Sequence, residues 1–434
     1  MISSNTGIQA QLAAMTAAAA ANNDYKAVVF WFFNGGNDAH NLLVNLDDKA
    51  YPLYAAPRAN ICMKREEMLP LPDFGGVKLG LHPAMPRMAA RIAAGNAAIL
   101  ANVGVLSVPT TREQFARGWG VPPTVQVPYN LFSHSDQQNC WATAMPNDPT
   151  AKTGWGGRLM DLASPFNGSS VCSPSISTSG NTDLLNGFDT RQYQIGSNGA
   201  AMINDDVPAR RTARLTLLSQ PRKHRLEQLY VDVMARSINS AIGVNTALAA
   251  AGDFATVFPA DEAGNQAKIV ARLIKARSGI GARRQTFFIS LGGWDFHDRL
   301  RDQQKARLSV VDAAMDAFYQ AMVEIGMDKQ VVQATGSDFG RSLQQNGTNA
   351  DGADHGWGGH HFIVGGGVKG GQMYGKWPQV ALESPDDGGQ GRLIPTTAVD
   401  EYVAALARWM SVPADAIPVA LPNVVRFPNA LSMF

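Results

Sequence analysis

The chain has 434 residues, 45% of them hydrophobic and 17% charged, a composition that supports a large buried core and excludes wholesale disorder. Lys and Arg number 37 against 36 Asp and Glu, and this net charge of +1 argues against a general nucleic-acid binder. No apolar run reaches the roughly 18–20 residues that a membrane helix needs, so we predict no membrane span.

The first predicted element is an Ala-rich segment at the start of the sequence. Residues 1–25 contain no Lys or Arg, and Leu12–Ala21 is followed by the polar run Asn22-Asn23-Asp24. Small residues ahead of a polar junction are typical of the end of an export signal, although the basic region that opens such a signal is missing. The segment is therefore either the remainder of an export signal or an N-terminal helix.

Buried strands alternate with amphipathic helices along the rest of the chain. Short apolar runs before turn residues predict strands at Lys26–Phe33, Ala97–Val105, Gln285–Ser290, Lys329–Ala334 and His361–Val364. Helical spacing predicts helices at Ala84–Ala94, Gln138–Ala144, His224–Ala250, Ala260–Ala276, Ala306–Ile325 and Thr397–Trp409. This alternation predicts an α/β fold, a three-layer sandwich with a mostly parallel central sheet.

One segment interrupts the pattern. Residues 163–206 are rich in Ser, Gly and Asn and show little periodicity, which is typical of a lid or an insertion. We predict a single domain over residues 26–434, with a loop-rich insertion at about 163–206.

Histidines concentrate in short Gly- or Ser-containing motifs, most of which directly follow a predicted strand. Six of the eight His residues lie in such motifs, at positions 40, 134, 297, 355, 360 and 361. In open parallel sheets, ligands bind beyond the carboxyl ends of the strands, so we expect these motifs to converge in space.

Two motifs present a carboxylate after a double glycine. GGND at 35–38 places Asp38 just past the first strand, where it is either a ligand or a helix N-cap. GGWDFH at 292–297 sets Asp295 and His297 two residues apart, so in extended backbone both face the same side. A carboxylate beside an imidazole can bind one divalent metal or act as an acid/base pair.

Three further motifs carry candidate ligands or catalytic groups. TGSDFGR at 335–341 brings Asp338 after a strand, and Arg341 either binds an anionic substrate group or pairs with Asp338. DHGWGGHH at 354–361 holds three His and one Asp; metal binding explains it, and structural packing on Trp357 is the alternative. FSHSDQQ at 132–138 opens a helix with Ser133, either a nucleophile or an N-cap.

In this order the motifs resemble the bacterial family called domain of unknown function 1501. The likeness covers most of the chain, from GGND through LHPAM at 81–85 and SH-x-x-x-Q at 133–138 to GGWDFH, SDFGR and DHGWGGHHFIVGGGVKGG-x-x-YG, and ends in a DEY…ARW…PN-x-x-x-F pattern. Members of that family look like exported proteins. The family is placed in the alkaline phosphatase-like superfamily, with sulfatases, phosphomutases and phosphodiesterases.

The resemblance implies a role for each motif. By order along the chain, Asp38 corresponds to the ligand after the first strand, and Ser133 to the nucleophile, with Ser135 as its competitor. Phe339 stands where that superfamily has a ligand histidine, so either Asp354 or His360 substitutes or the second metal is weak or absent. The predicted catalytic residues are Ser133, His134 and Arg341. The predicted metal ligands are Asp38, Asp295, His297, Asp338, Asp354, His355 and His360.

The implied function is a metal-dependent hydrolase of phosphate or sulfate esters, periplasmic or secreted. Its substrate would be a small anionic ester or a sulfated or phosphorylated polymer. Zinc suits the His-containing ligands, whereas an oxygen-rich site at Asp38 and Asp338 would also accept Mg²⁺ or Ca²⁺. The alternative is a non-catalytic binding or assembly protein that keeps the fold and a vestigial metal site and works with a protein partner.

Overall fold

The computed structural model describes residues 13–17, 19–20, 24–116, 121–202 and 207–434. Its strands are β1 (Lys26–Phe33), β2 (Leu43–Asn45), β3 (Leu69–Pro70), β4 (Leu79–Leu81), β5 (Ala97–Gly104), β6 (Ser175–Ser177), β7 (Tyr193–Gln194), β8 (Arg284–Leu291), β9 (Val331–Ser337), β10 (Arg341–Gln345), β11 (Ala353–His355), β12 (Gly359–Val364), β13 (Met373–Tyr374) and β14 (Thr397–Ala398).

The helices lie mostly between these strands. They are α1 (Ala39–Leu42), α2 (Tyr51–Ala55), α3 (Pro86–Ala93), α4 (Arg112–Phe115), α5 (His134–Thr143), α6 (Trp155–Leu162), α7 (Ser164–Asn167), α8 (Pro208–Ser219), α9 (Arg225–Ala251), α10 (Glu262–Lys275), α11 (Arg277–Ile280), α12 (Leu300–Glu324), α13 (Val399–Trp409) and α14 (Ile417–Ala420). Among the described residues, none of the helices is long and apolar enough to cross a membrane.

Nine strands form the central sheet, which is mostly parallel. Its order is β13-β5-β12-β9-β1-β8-β6-β7, with β14 also paired to β5. β1 runs parallel to both β8 and β9, and β6 runs parallel to β8 and β7. β12 alone is antiparallel to its neighbours β9 and β5 within this sheet of the described chain. The predicted α/β class with a mostly parallel sheet is confirmed.

Both faces of the sheet are covered, which makes three layers. Alternate residues of β1 from Ala27 to Phe33 enter one core, with side chains of α3, α10 and α12. The intervening residues from Val28 to Phe32 enter a second core, with side chains of α5, α6, α13 and α14. A strand buried on both faces is rich in apolar residues at every position, which is why β1 after Lys26 reads as the unbroken run AVVFWFF.

Two predicted segments have a defined place in this architecture. The segment 163–206 contains α7, strand β6 and the edge strand β7 of the central sheet, while residues 203–206 lie outside the described residues. Of the N-terminal segment 1–25, residues 1–12, 18 and 21–23 lie outside the described residues. Residues 13–17 and 19–20 are helical, and Met15 and Ala19 are buried in the second core.

Candidate metal centre

The carboxyl ends of β1, β8 and β9 meet at one edge of the sheet. Phe33 pairs with Leu291 on one side and with Ser337 on the other, so the next residues of all three strands enter neighbouring loops. Gly35 has φ +124, and a Cβ there would lie 2.5 Å from the backbone nitrogen of Asp295. Only glycine allows the loops after β1 and β8 to approach this closely.

The buried side chain of Arg341 connects these loops through hydrogen bonds. Its buried guanidinium donates to the carbonyl oxygens of Gly35 at 2.5 Å, Gly36 at 2.9 Å, Trp294 at 3.1 Å and Ala353 at 3.0 Å. It also donates to Asp295 Oδ1 at 2.5 Å, so its ion pair is with Asp295, where the sequence suggested Asp338. A direct contact between Arg341 and a substrate would require these bonds to open.

Asp295 lies at the centre of a cluster of three histidines. Its Oδ1 is 3.4 Å from His134 Nε2, 3.1 Å from His297 Nε2 and 3.3 Å from His355 Nε2. The Nε2 atoms of His297 and His355 are 3.0 Å apart. His134, Asp295 and His355 form a group whose ligand atoms all lie within 4.8 Å of one another. Two triangles of candidate ligands therefore share Asp295 and His355.

Hydrogen bonds to the other ring nitrogens orient two of these histidines. His134 Nδ1 is 2.7 Å from Asp338 Oδ2, and His355 Nδ1 is 2.8 Å from the carbonyl oxygen of Phe132. A proton on each Nδ1 satisfies these acceptors and leaves the Nε2 lone pair directed into the cluster. His134 Nε2 is buried without a hydrogen-bond partner among the described residues, so it is free to bind a ligand.

The spacing of the ligand atoms fits a transition-metal ion. Tetrahedral zinc holds nitrogen and oxygen ligands at about 2.0–2.2 Å, which separates the ligand atoms by about 3.3–3.6 Å. The triangle of Asp295 Oδ1, His297 Nε2 and His355 Nε2 has sides of 3.0–3.3 Å. Two imidazole nitrogens this close need a shared proton or a cation between them. The residues present therefore fit a bound divalent metal.

The surroundings of the site favour an ionised Asp295 and a neutral His355. Partial burial opposes ionisation of Asp295, but the hydrogen bond and the positive charge of Arg341 outweigh it and lower the pKa. Burial lowers the pKa of His355, with the charge of Arg341 adding to the effect, so that ring favours the neutral form that binds metal. The hydrogen bond with Asp338 raises the pKa of His134, which makes this imidazole more basic than that of His355.

Asp338 and Asp354 surround the cluster. Asp338 is buried, and its Oδ2 accepts from Gly35 N at 3.1 Å and Gln138 Nε2 at 3.0 Å in addition to its bond with His134. Asp354 Oδ1 is 3.5 Å from His297 Nδ1. These two carboxylates, predicted as metal ligands, thus contact His134 and His297 at the ring nitrogen that faces away from the cluster.

Ser133 is next to the cluster in the chain. It occupies the N-cap position of α5 without a side-chain capping bond, and its Oγ is 3.4 Å from Ser135 Oγ. The residues on either side, Phe132 and His134, are both in contact with cluster members. The hydroxyl therefore does not serve as the helix cap that the sequence left open, and it is available for another role.

Asp38 has a different environment. Its carboxylate forms a fully buried ion pair with Arg58, and its Oδ1 accepts from the backbone nitrogen of His40 at 3.3 Å, as a helix N-cap does. Arg58 also donates to the carbonyl oxygens of Ser342 and Leu343 at 3.1 and 3.2 Å. The cation nearest to this carboxylate is therefore an arginine of the chain itself, so the predicted metal-ligand role competes with that ion pair.

His360 lies apart from the Asp295 cluster. Its ring stacks on Trp377 with centroids 4.4 Å apart, and its Nδ1 accepts from the backbone nitrogen of Asn102 at 3.1 Å. The structure thus brings together His134, Asp295, His297 and His355, with Asp338 and Asp354 bound behind them, and leaves His360 in a packed environment.

Buried neutral histidines make stability depend on pH. Burial lowers the pKa of His82 to about 4 and that of His360 and His361 to about 3. Histidine in the unfolded chain has a pKa of about 6.5, so on acidification the unfolded chain takes up these protons before the folded chain does. Stability is therefore lost as the pH falls from about 6.5 towards 3.

We expect the free energy of unfolding in urea to fall on acidification over this range. His361→Gln should reduce the slope by up to about 1.4 kcal/mol per pH unit. The matched variant His224→Gln, at an exposed position, should keep the wild-type slope. An unchanged slope in His361→Gln would show that this ring is not neutral in the folded protein.

Three contributors to the site carry little or no signal in the sequence. Arg58, the partner of Asp38, lies in the segment APR with no motif around it, and no local pattern marks a buried arginine. The carbonyl oxygen of Phe132 orients His355, but backbone acceptors have no signature in a sequence. Gln138 lies within the SH-x-x-x-Q motif, yet only its bond to Asp338 in the folded chain shows what it does.

Comparison with known proteins places the chain in a family. The family model described as "Protein of unknown function (DUF1501)" matches residues 25–412. The chain belongs to this family. No curated protein matches it.

Solved structures offer only loose likenesses. A structure from work on glycosaminoglycan metabolism by Bacteroides thetaiotaomicron has a TM-score of 0.36 at 10% identity, over 91% of this chain and 74% of that one. A 2-O GAG sulfatase has a TM-score of 0.32 at 10% identity, over 92% of this chain and 74% of that one. These scores are too low to transfer a site or an activity to this DUF1501 protein.

Proposed function

We propose that this DUF1501 protein is an exported, metal-dependent hydrolase of sulfate or phosphate esters with an alkaline phosphatase-like site. One observation carries the proposal: three imidazole Nε2 atoms lie 3.1–3.4 Å from Asp295 Oδ1. Such convergence of imidazole nitrogens on a carboxylate is the pattern of a metal site. The family resemblance adds the ester class and the periplasmic or secreted location.

Zinc is the metal that this ligand set favours. Three imidazoles and one carboxylate are nitrogen-rich, whereas Mg²⁺ and Ca²⁺ prefer oxygen ligands. A bound Zn²⁺ would act as a Lewis acid, easing ionisation of a hydroxyl and stabilising charge on the oxygens of the transferred group. Asp295 and His355 would hold it, with His134 or His297 completing the set.

The residues around the cluster suit catalysis as well as binding. The side chains of Asp295 and His297 are 47% and 44% exposed, so an ester can reach them. Asp338 holds His134 through Nδ1; in a ligand set completed by His297, His134 would carry a second proton on Nε2, and its raised pKa suits donation of that proton to a leaving alkoxide. Arg341 fixes the Asp295 carboxylate through a bond to Oδ1 and so orients the centre.

Ser133 is the proposed nucleophile, and its replacement tests the activity. We expect hydrolysis of 4-nitrophenyl sulfate or 4-nitrophenyl phosphate by the zinc-loaded protein, with Ser133→Ala lowering kcat by orders of magnitude because the attacking hydroxyl is gone. The neighbouring Ser135→Ala is the matched control and should keep most of the activity. Full activity in both variants would contradict a serine nucleophile.

One observation favours a second candidate function. Asp38, which the resemblance makes the ligand after the first strand, is engaged by Arg58, so a second metal has fewer ligands. A protein that keeps one metal for structure and binds a partner or a sulfated glycan without turnover would tolerate that loss. This candidate would be favoured if the protein binds zinc but hydrolyses neither ester with any divalent metal.

A further inference from the structure

Helices α8 and α9 form a hairpin with almost no core of its own. None of the residues of α8 is buried, and the first buried residue of α9 is Val231. Four residues of α9 at the spacing i, i+3, i+4 and i+7 are exposed by 48–68%: Leu226, Leu229, Tyr230 and Val233. This spacing places them on one side of the helix, where an amphipathic helix normally meets a partner.

The hairpin is also strongly basic. Residues 207–236 contain seven Arg or Lys and two acidic residues, a net charge of +5. They are Arg210, Arg211, Arg214, Arg222, Lys223, Arg225 and Arg236, against Glu227 and Asp232. The rest of the chain then has 30 basic and 34 acidic residues, so its net charge is −4. The hairpin therefore carries a local positive charge that the near-neutral total does not show.

A groove of about 700 Å³ lies between the two helices. Leu217, Leu218, Leu226, Tyr230 and Met234 line it, and Arg222 is among its polar lining residues. An apolar lining beside a guanidinium matches a molecule that has a hydrocarbon portion and a negatively charged head.

We propose that this hairpin, residues 207–236, docks on an anionic phospholipid surface. The apolar stripe would enter the boundary between headgroups and acyl chains, Tyr230 would lie at headgroup depth, and the basic residues would meet the lipid phosphates. The hairpin combines its positive charge with exposed apolar side chains, so it is the part of the molecule that would meet the surface. It would lie in the interface of the bilayer, parallel to the surface.

Charge and apolar surface together separate this occupant from others. A second copy of the chain would bring a hairpin of the same +5 charge, which opposes pairing through this face. A soluble polyanion would bind the basic residues but would gain nothing from four exposed apolar side chains on one face of the helix. Only a partner that is both anionic and apolar uses the whole surface.

Sedimentation with vesicles tests the proposal on the full chain. The protein should sediment with vesicles of phosphatidylcholine containing a quarter phosphatidylglycerol at about 0.1 M salt, and not with phosphatidylcholine alone. Arg222→Glu/Arg225→Glu and Leu226→Ser/Leu229→Ser should each weaken partitioning by about tenfold or more, the former by losing attraction and the latter by losing burial. Lys152→Glu and Val425→Ser, at exposed positions elsewhere, should change it little.

Three outcomes would overturn it. The first is no binding to the anionic vesicles, which leaves an acidic protein as the occupant to seek. The second is binding that Leu226→Ser/Leu229→Ser retains and heparin competes away, which would mean a polyanion site. The third is binding that both hairpin variants retain. Activity towards the 4-nitrophenyl esters in solution is a separate readout that the hairpin variants should not change.

Discussion

Asp295→Asn and His355→Ala should abolish stabilisation of the folded protein by zinc. A ligand that binds only the folded state stabilises it by about 2.7 kcal/mol when its free concentration is a hundredfold above Kd. Asp295 and His355 belong to both triangles of candidate ligands, so loss of either leaves too few ligand atoms at any position. Differential scanning calorimetry with and without zinc should show a rise in Tm for the wild type and none for these variants.

His134→Ala and His297→Ala separate the two triangles. The variant that removes a true ligand should lose most of the zinc-dependent rise in Tm, whereas the other should keep it. His224→Ala, at an exposed position, is the control for nonspecific zinc binding to histidine. Equal stabilisation by zinc in the wild type and in Asp295→Asn would contradict a metal centre at this position.

Asp38→Asn and Arg58→Met should each destabilise the fold by about 3–5 kcal/mol, because each leaves one charge buried without its partner. Both side chains are fully buried and bound to each other. The double variant Asp38→Asn/Arg58→Met should recover part of this loss, since it leaves no unpaired charge. Urea unfolding of the four proteins gives the coupling energy directly.

Zinc content distinguishes this role of Asp38 from a ligand role. Asp38→Asn should be unstable but should still bind zinc, because Asp295, His134, His297 and His355 remain in place. The control is Asp312→Asn. Asp312 is another buried carboxylate, and it accepts hydrogen bonds from the backbone nitrogens of Arg87 and Met88 at the start of α3. If Asp38→Asn lost its zinc while keeping its stability, and Asp312→Asn kept its zinc, Asp38 would be a metal ligand, as the resemblance implied.

The fold was predictable because its signals are local. β1 was predicted with its observed ends, and β5 and β8 within one residue, since strands buried on both faces contain runs of apolar residues. The antiparallel direction of β12 and the short strands β6 and β7 were not predicted. Their pairing depends on contacts between residues far apart in the sequence, and a strand of two or three residues has no periodicity to detect.

For the candidate site, the sequence predicted which residues offer ligand atoms but not which of them come together. The motifs around Asp295 and His355 drew attention because Gly, Asp and His recur after strands, and the structure brings those side chains together. Asp38 and His360 carry the same residue types but meet Arg58 and Trp377. Whether a carboxylate or an imidazole is free to bind a ligand depends on its three-dimensional neighbours, which composition and spacing do not encode.

Metal analysis of the wild type and the single variant Asp295→Asn tests the central claim most directly. The protein should be purified without affinity-tag nickel or added chelator, and its metal content should be measured by inductively coupled plasma mass spectrometry. We predict about one zinc ion per wild-type chain and a metal content near zero in a folded Asp295→Asn variant. A wild-type protein without a divalent metal even after incubation with zinc, or equal contents in both proteins, would contradict a metal centre at Asp295.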